Sequence, residues 1–231
     1  MGFTSFRIGL LVGRAFGLPS AHAYTAELVN GGEVGCALDI GCGSDSHLMA
    51  FRPRIRTVGV DAFDDAIRSA QQRDVHDAYV SCDILKEDLP GLLSQLGGER
   101  FDLVTLYGVI EHLPKRAGFE LLERCEQLTE KFVLVETPNG FQEQGPEFGN
   151  EHQRHLSGWF PHDFEGLGYK VYGTTGTKYL RGYAAGPKYN FKGCLSVDHL
   201  LARLLRAHRN YRHAFNLIAV KDVRGVPARL S

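Results

Sequence analysis

The chain has 231 residues, of which 43% are hydrophobic and 23% charged, enough for one sizeable α/β domain but too few for two full domains. A formal net charge of −1 excludes a strong overall attraction to nucleic acid or anionic lipid, and therefore favours a small or neutral partner. The five cysteines are widely spaced and form no CxxC pair, which argues against a disulfide framework and a zinc knuckle and fits a reducing cytoplasm.

The first residues weakly resemble a secretory signal peptide. Their uninterrupted apolar run spans only residues 8–13, Arg14 follows it, and no segment reaches the roughly 20 apolar residues that cross a bilayer. Phe6 stands where N-myristoylation needs Ser or Thr. We predict that residues 1–35 form a helical arm on a single domain, and that the chain has no transmembrane segment.

Short apolar runs rich in β-branched residues alternate with helical patterns from Cys36 onward. Five of them predict strands: CALDIG, TVGVDA, AYVSCD, FDLVTLYG and KFVLVETP. Asp64 is placed to cap a helix, and Pro114 precedes another with a 3.6-residue apolar period. Continuous apolar strands between helices indicate a parallel sheet buried on both faces, in which ligands bind at the carboxyl ends of the strands.

The regular alternation of strands and helices ends after the fifth strand. A polar loop from Gln142 to Trp159 precedes a short helix over 161–166, a strand beginning at Tyr169 and a final strand AFNLIAVKD. The fold class is therefore a Rossmann-like doubly wound sheet of seven mostly parallel strands, with the last strand antiparallel and an insertion over about 174–212 between the last two.

Chemically distinctive residues follow the first three predicted strands. Gly41 and Gly43 bare the backbone after the first strand, which suits a ligand that approaches main-chain amides, although a GxG turn alone is a weak signal. Asp61 ends the second strand about 20 residues later, where a carboxylate can accept both hydroxyls of a ribose. Asp83 ends the third strand and can accept a hydrogen bond from an adenine amino group.

These residues belong to an ordered set: LDIGCGS, VGVDAF, SCDI, FDLVTLYGVIEHLP and VLVETPNG. In this order they resemble the class I S-adenosylmethionine-dependent methyltransferases, over about residues 36–140. The resemblance implies that S-adenosyl-L-methionine is the cofactor. It also implies the following cofactor-binding residues: Asp39, Gly41, Cys42, Gly43, Asp61, Ala62, Asp83, Ile84 and Tyr107.

Asp45 stands where the family usually has a third glycine. We expect it in the first turn of a helix after the first strand, where the helix dipole favours a carboxylate by roughly 0.3–1 kcal/mol. Its side chain should point away from the carboxylate of the cofactor or toward the ammonium.

Residues 141–231 are predicted to supply the acceptor side. His112 in EHLP is the first candidate for a catalytic base, with a packing role beside the cofactor as the alternative. We also assign Asn139, His152, His155 and Tyr183 to the substrate side. Glu151 with these histidines could suggest a metal, but residues at such spacing in a polar loop are more often hydrogen-bonded, so we predict no metal.

The insertion combines flexible glycines and tyrosines with a helix over 197–210. Four leucines, Leu200, Leu201, Leu204 and Leu205, predict an apolar stripe opposite Arg203, Arg206 and Arg209. Three arrangements of such a helix stay open: it packs on the domain with its arginines in water, it lies on a membrane surface, or it meets a phosphorylated acceptor.

The predicted function is in-line methyl transfer to an unidentified small-molecule acceptor. Nucleic acid is not favoured, because the charge is near neutral and ETPNG differs from the loops of many amino-methylating nucleic-acid enzymes. Two alternatives stay open. A nicotinamide-dependent oxidoreductase would bind NADH in preference to S-adenosylhomocysteine, whereas a cofactor-binding but inactive partner subunit would bind the cofactor and turn over no acceptor.

Overall fold

A computed structural model describes residues 20–98, 100–146 and 150–224. Seven strands form one sheet in the order β3-β2-β1-β4-β5-β7-β6. The strands are β1 Cys36–Ile40, β2 Arg56–Asp61, β3 Ala78–Ser81, β4 Phe101–Tyr107, β5 Thr129–Pro138, β6 Lys170–Thr177 and β7 Ala214–Asp222. The α-helices are α1 Ala21–Asn30, α2 Asp64–Gln72, α3 Leu89–Gln95, α4 Lys115–Leu128, α5 Pro161–Glu165 and α6 Cys194–Leu204.

The sheet is parallel except at its last strand. β1 pairs in parallel with β2 and β4, and the parallel pairing continues to β3 on one side and β5 on the other. β7 enters between β5 and β6 and runs antiparallel to both. The predicted seven-stranded Rossmann-like fold is confirmed. The strand order reverses beside β1, so β1 and β4 open a crevice at their carboxyl ends, where such sheets bind ligands.

Apolar layers cover both faces of the sheet. On one face, α4 packs Leu121, Leu122 and Cys125 against the strands in a 3.6-residue period. On the other face, α1 and a 3₁₀ turn at 47–51 cover Ala37 and Leu134. The strands are buried on both sides, which explains why their sequences read as continuous apolar runs.

The segment after β1 differs from the predicted α-helix. It forms only the 3₁₀ turn His47–Phe51, capped by the Ser46 hydroxyl, and Asp45 precedes this turn rather than lying within it. Asp64 likewise is the first residue of α2 rather than its cap, and its carboxylate accepts a hydrogen bond from Ser81 instead.

The insertion and its helix are shifted from their predicted bounds. β6 extends to Thr177, so the insertion occupies residues 178–213, and α6 spans Cys194–Leu204 instead of 197–210. The described residues before Cys36 include α1, whereas the remainder of the predicted N-terminal arm, residues 1–19, lies outside the described part of the chain.

A buried carboxylate fixes α6 on the sheet. Asp198 accepts hydrogen bonds from the backbone N–H and hydroxyl of Thr177, at 2.8 and 2.7 Å, and from Nε of Arg181 at 2.6 Å. Cys194 and Ala202, four residues away on either side, are buried with it. The docking face of α6 is therefore this line of residues, while Leu200 and Leu204 face solvent.

Candidate functional site

One cavity opens at the carboxyl ends of β1, β2, β3 and β4. The space within it, including its open mouth, is about 800 Å³. Eight of the residues selected from the sequence line it: Gly41, Gly43, Asp61, Ala62, Asp83, Ile84, His112 and His152. Residues far apart in the sequence thus share one site, because parallel strands end at the same edge of the sheet.

The glycine turn after β1 has the conformation that its sequence predicts. Gly41 and Gly43 have φ angles of 67° and 58°, in the left-handed region. A Cβ on Gly41 would lie 2.6 Å from a methyl group of Val109, whereas the space beside Gly43 is open toward the cavity. The turn is therefore bare on its ligand side, and a side chain at residue 43 would fill that space.

Asp61 joins the first two strand ends. Its Oδ2 accepts the backbone N–H of Gly43 at 2.9 Å, and its Oδ1 accepts that of Phe63 at 2.8 Å. These two bonds fix the carboxylate at the cavity wall and leave each oxygen with a second acceptor position. The geometry fits a ligand with two neighbouring hydroxyl groups.

Asp83 lies at the far end of the same wall. Burial raises the pKa of its carboxyl, but hydrogen bonds from Lys86 and Leu85 and the charges of Lys86 and His152 together lower the pKa below its ordinary value. Asp83 therefore keeps its negative charge at neutral pH and can accept hydrogen bonds there.

Asp39 lies beneath the cavity rather than in its wall. Its buried carboxylate accepts hydrogen bonds from the hydroxyls of Thr105, at 2.7 Å, and Ser46, and lies 3.5 Å from Nε2 of His76. These contacts tie the glycine turn and the 3₁₀ turn after it to the sheet. In this structure Asp39 therefore acts on the site by positioning the turn.

Asp45 points away from the cavity. Its carboxylate lies 3.2 Å from the guanidinium of Arg73, which also donates a hydrogen bond to the Ser44 carbonyl. The pairing turns the side chain toward the end of α2, as expected for a residue that would otherwise repel a carboxylate. The substitution for the usual glycine thus leaves the ligand side of the turn bare.

Cys42 and Tyr107 are not among the residues that line the cavity. The Cys42 sulfur packs toward Gly59 in β2. Tyr107 is half-buried on the other face of the sheet, where its hydroxyl lies 2.6 Å from that of Thr25 and its ring contacts His47. Successive side chains of a strand point to opposite faces, and Tyr107 belongs to the face covered by α1.

The loop after β5 returns to the point where it starts. Gly140 donates its N–H to the Trp159 carbonyl at 2.7 Å, and the backbone N–H groups of Leu156 and Ser157 donate to the Glu111 carbonyl. The indole N–H of Trp159 donates to the Ile110 carbonyl at 3.1 Å. This pinned loop, residues 141–158, is termed the rim loop below. It carries Asn150, His152 and Gln153 to the cavity.

Glu111 is buried between β5 and the rim loop. Burial raises the pKa of its carboxyl to about 7, although a hydrogen bond from the Thr137 hydroxyl at 2.9 Å opposes the rise. His112, the next residue, faces the cavity, and burial lowers the pKa of its imidazole to about 4. The imidazole is therefore neutral at physiological pH.

Glu111, His112 and His155 form one group of potential metal ligands, with one ligand atom from each within 4.8 Å of the others. Their hydrogen-bonding partners lie within the chain. Nδ1 of His112 lies 3.2 Å from the Arg154 carbonyl, and Nδ1 of His155 lies 2.7 Å from the Gln142 carbonyl. These contacts hold the rim loop without a cation, and the absence of a metal stays a prediction.

The remaining substrate-side residues are dispersed. Asn139 lies beside a second hollow near α5, and its amide donates to the carbonyls of Tyr211 and Ala214. His155 is behind His112, with ring centroids 4.8 Å apart. Tyr183 is exposed in the insertion and lines neither hollow. Of the four, His152 alone lines the main cavity.

Sequence reasoning did not select several residues of the cavity wall. They include Cys82, Leu85, Val109, Leu113, Asn150 and Gln153. Cys82, Val109 and Leu113 lie within the motifs SCDI and FDLVTLYGVIEHLP, and Leu85 directly follows the first of them, so these four could have been found from the motifs. Asn150 and Gln153 reach the cavity only because Trp159 and Glu111 pin the rim loop, which no local pattern reveals.

Comparisons with known proteins agree with this geometry. The family model described as a methyltransferase domain matches residues 38–131, from β1 into β5. No curated protein matches the sequence.

Several solved structures share the fold. A SAM-dependent methyltransferase from Archaeoglobus fulgidus is 19% identical, with a TM-score of 0.52 over 92% of this chain and 98% of that one. The N-methyltransferase NodS from Bradyrhizobium japonicum, solved with S-adenosyl-L-homocysteine, is 16% identical, with a TM-score of 0.54 over 87% and 84%. Magnesium protoporphyrin IX methyltransferase from Synechocystis, solved with SAM, is 14% identical, with a TM-score of 0.51 over 87% and 77%.

The sheet and its cavity define an α/β enzyme that binds a nucleoside cofactor at the strand order reversal. Residues 38–131 match the methyltransferase domain, whose cofactor is S-adenosylmethionine, and the chain shares its fold with S-adenosylmethionine-dependent methyltransferases. Over the residues that the structure describes, no helix has the length and apolar character to cross a membrane.

Proposed function

We propose that this enzyme transfers a methyl group to a small molecule that enters between the glycine turn and the rim loop. In this proposal residues 36–140 hold the cofactor and residues 141–231 complete the acceptor side of a single domain. A cytoplasmic location belongs to the same proposal and is supported by five cysteines that are all free thiols.

The observation that carries the proposal is the placement of the strand-end residues in one cavity. The turn at Gly41 and Gly43, the carboxylate of Asp61 and that of Asp83 follow one another along its wall. This order matches an amino-acid portion, a ribose and an adenine lying in a row. When bound, the cofactor supplies an activated methyl group, so the chain has mainly to align an acceptor and exclude water.

His112 is the candidate for direct contact with the acceptor. Nδ1 lies against the Arg154 carbonyl, which makes Nδ1 the protonated nitrogen and leaves a lone pair on Nε2. A neutral imidazole of this tautomer can accept a proton from an acceptor hydroxyl or ammonium. The same ring also packs against His155, so a positioning role is the alternative.

The two roles of His112 differ in their pH dependence. A His112→Gln variant that lowers kcat more than about ten-fold, and loses an acid limb of the pH profile, supports the base. A variant that raises KM at an unchanged kcat and pH profile supports positioning.

The proposed acceptor class is supported by the net charge of the chain, and solved structures of similar fold do not narrow it. The chain has nearly balanced charge, which favours a small molecule over a nucleic acid. Structures of similar fold are named for acceptors as different as a magnesium porphyrin and plantazolicin, so the fold does not choose the acceptor.

Calorimetry with S-adenosylhomocysteine and NADH tests the cofactor class. We expect binding of S-adenosylhomocysteine and none of NADH. Tight binding of NADH alone would support the nicotinamide-dependent oxidoreductase instead. A screen of small acceptors with methyl-labelled cofactor then separates an active enzyme from an inactive partner subunit, which would bind the cofactor and label nothing.

A further inference from the structure

Helix α6 presents an apolar stripe to solvent. Val197, Leu200 and Leu204 are spaced three and four residues apart, and they are 48%, 55% and 72% exposed. Since the hydrogen bonds of Asp198 fix the rotation of the helix, the stripe cannot turn inward. Two further large side chains, Tyr189 and Phe191, are exposed just before the helix. Clustered exposure of this kind marks an interaction surface.

The same segment is strongly basic. Residues 178–213, here called the basic insertion, contain eight of the 26 Lys and Arg residues of the chain but only one of its 27 Asp and Glu residues. That acid, Asp198, is buried and paired with Arg181. The other seven basic side chains are exposed and form no ion pair with any residue in the described part of the chain: Lys178, Lys188, Lys192, Arg203, Arg206, Arg209 and Arg212.

The basic insertion lies on the active side of the molecule. It leaves the sheet at the end of β6 and returns at the start of β7, and β6 runs in the same direction as β5. Its two ends are therefore at the edge of the sheet that carries the cofactor cavity. A surface that meets the basic insertion therefore faces the same edge of the sheet as the cofactor cavity.

We propose that the basic insertion docks the enzyme on an anionic lipid surface. Val197, Leu200 and Leu204 enter the boundary between headgroups and acyl chains, while the Lys and Arg side chains meet lipid phosphates and carboxylates. The proposal concerns attachment and does not depend on the identity of the acceptor.

Charge complementarity favours an anionic lipid surface over a second copy of the chain or a nucleic acid as the partner of the basic insertion. A second copy of the chain would bring the same basic charge against itself and be repelled. A nucleic acid would satisfy the positive charge but leave the apolar stripe in water. An anionic bilayer satisfies both features at once. The near-zero charge of the whole chain makes the attraction local, short in range and sensitive to salt.

Sedimentation of the full chain with vesicles tests the proposal. We expect binding to phosphatidylcholine vesicles that contain about 30% phosphatidylglycerol and little binding to phosphatidylcholine alone. About 0.5 M salt should weaken the binding several-fold, because it screens the lipid charge. Equal binding to both vesicle types, or to neither, would overturn the proposal.

Matched variants locate the contact. Leu200→Ser/Leu204→Ser should lower vesicle partitioning about ten-fold or more, whereas Leu156→Ser/Leu167→Ser, which changes two exposed leucines elsewhere, should not. Arg203→Glu/Arg209→Glu should have a similar effect, and Arg68→Glu/Arg116→Glu, with the same change of net charge on α2 and α4, should have little.

The affinity for S-adenosylhomocysteine shows whether the α6 variants are folded, since no residue of α6 lines the cofactor cavity, and far-ultraviolet circular dichroism shows it for the control variants. Equal losses in test and control variants would mean that the docking surface lies elsewhere, and would contradict the proposal. A concentration-dependent dimer that Leu200→Ser/Leu204→Ser abolishes, without vesicle binding, would identify a second copy as the occupant and also contradict it.

Discussion

Asp61 connects the glycine turn, the start of α2 and the cavity through a single carboxylate. Asp61→Ala should weaken the binding of S-adenosylhomocysteine by about 1–3 kcal/mol, because charge-assisted hydrogen bonds to the ligand are lost. Isothermal titration calorimetry measures the change. Asp65→Ala removes a carboxylate from the exposed surface of α2 and should leave the affinity unchanged. An unaltered affinity in Asp61→Ala would mean that the ribose lies elsewhere.

Glu111 is expected to make stability depend on pH. Its pKa of about 7 in the folded protein lies above the value of an exposed carboxyl, so the folded state resists ionisation. The resulting destabilisation grows as the pH rises from about 4.5 to 7 and is constant above that range. Glu111→Gln lacks the charge but can still accept the hydrogen bond from Thr137.

The free energy of unfolding of Glu111→Gln, relative to that of the wild type, should therefore increase by about 3 kcal/mol between pH 4.5 and 8. Urea unfolding at the two pH values measures the difference. A difference that does not change with pH would mean that Glu111 ionises freely in the folded protein.

At the scale of single residues, the sequence predicted best what lies next to a strand end. Gly41, Asp61 and Asp83 line the cavity because each lies at, or within two residues of, the carboxyl end of a strand that the pattern already indicated. Cys42 and Tyr107 come from equally local motifs but face other layers, since neighbouring side chains alternate between faces. Motif position locates a residue to an edge of the sheet, and the pleat decides whether it faces the ligand.

Helix α4 and Trp159, which anchors the end of the rim loop, meet with no space for a methyl group. A Cβ on Gly118 would lie 2.3 Å from the indole of Trp159. Gly118→Ala should therefore lower the free energy of unfolding by about 1–3 kcal/mol, because the ring and the rim loop have to move. Gly145→Ala, in open space, should change it by less than about 0.5 kcal/mol. Denaturant unfolding compares the two, and equal values would refute the tight contact.

The helix α6 should depend on Asp198 more than on its leucines. Asp198→Ala leaves the nearly buried guanidinium of Arg181 without its carboxylate, which should lower the free energy of unfolding by about 3–5 kcal/mol. Asp65→Ala breaks an exposed ion pair with Arg68 and should lower it by less than about 1 kcal/mol. Similar losses in both variants would show that α6 is held by other contacts.

The strands and helices were largely predictable from the sequence, but the buried face of α6 was not. Apolar runs gave all seven strands, and a 3.6-residue period gave α4. The pattern also suggested that the leucine stripe is the face by which the helix in the insertion packs on the domain. Instead, α6 packs on the domain through Asp198, whose partners Arg181 and Thr177 lie 17 and 21 residues earlier in the chain. Periodicity reports which residues are apolar, whereas long-range polar partners decide which face is buried.

The whole molecule holds its five cysteines as free thiols. Burial is the largest influence on Cys36, Cys42, Cys82 and Cys125 and raises the pKa of each thiol above its ordinary value. At pH 8 these thiols should stay protonated and react slowly with Ellman's reagent in the native protein, whereas all five should react at once in denaturant. Rapid reaction of all five in the native state would contradict this burial.

The sequence also indicated the fold of the whole chain, because strand and helix alternation leaves few possible topologies. It did not indicate how charge is distributed over the molecule. The basic insertion is concealed in a total near zero, since acidic residues elsewhere compensate for it. The topology of the sheet shows that this basic segment leaves and re-enters the sheet at the edge that carries the cofactor cavity.

The pairing of Gly140 with Trp159 makes the rim loop begin and end at one point. A segment closed in this way is modular: it can be lengthened, shortened or exchanged for another while the strands beneath keep their register. Under the proposed function, we expect a foreign loop joined at the same two residues to change the acceptor preference while the nucleoside half of the pocket is left as it is.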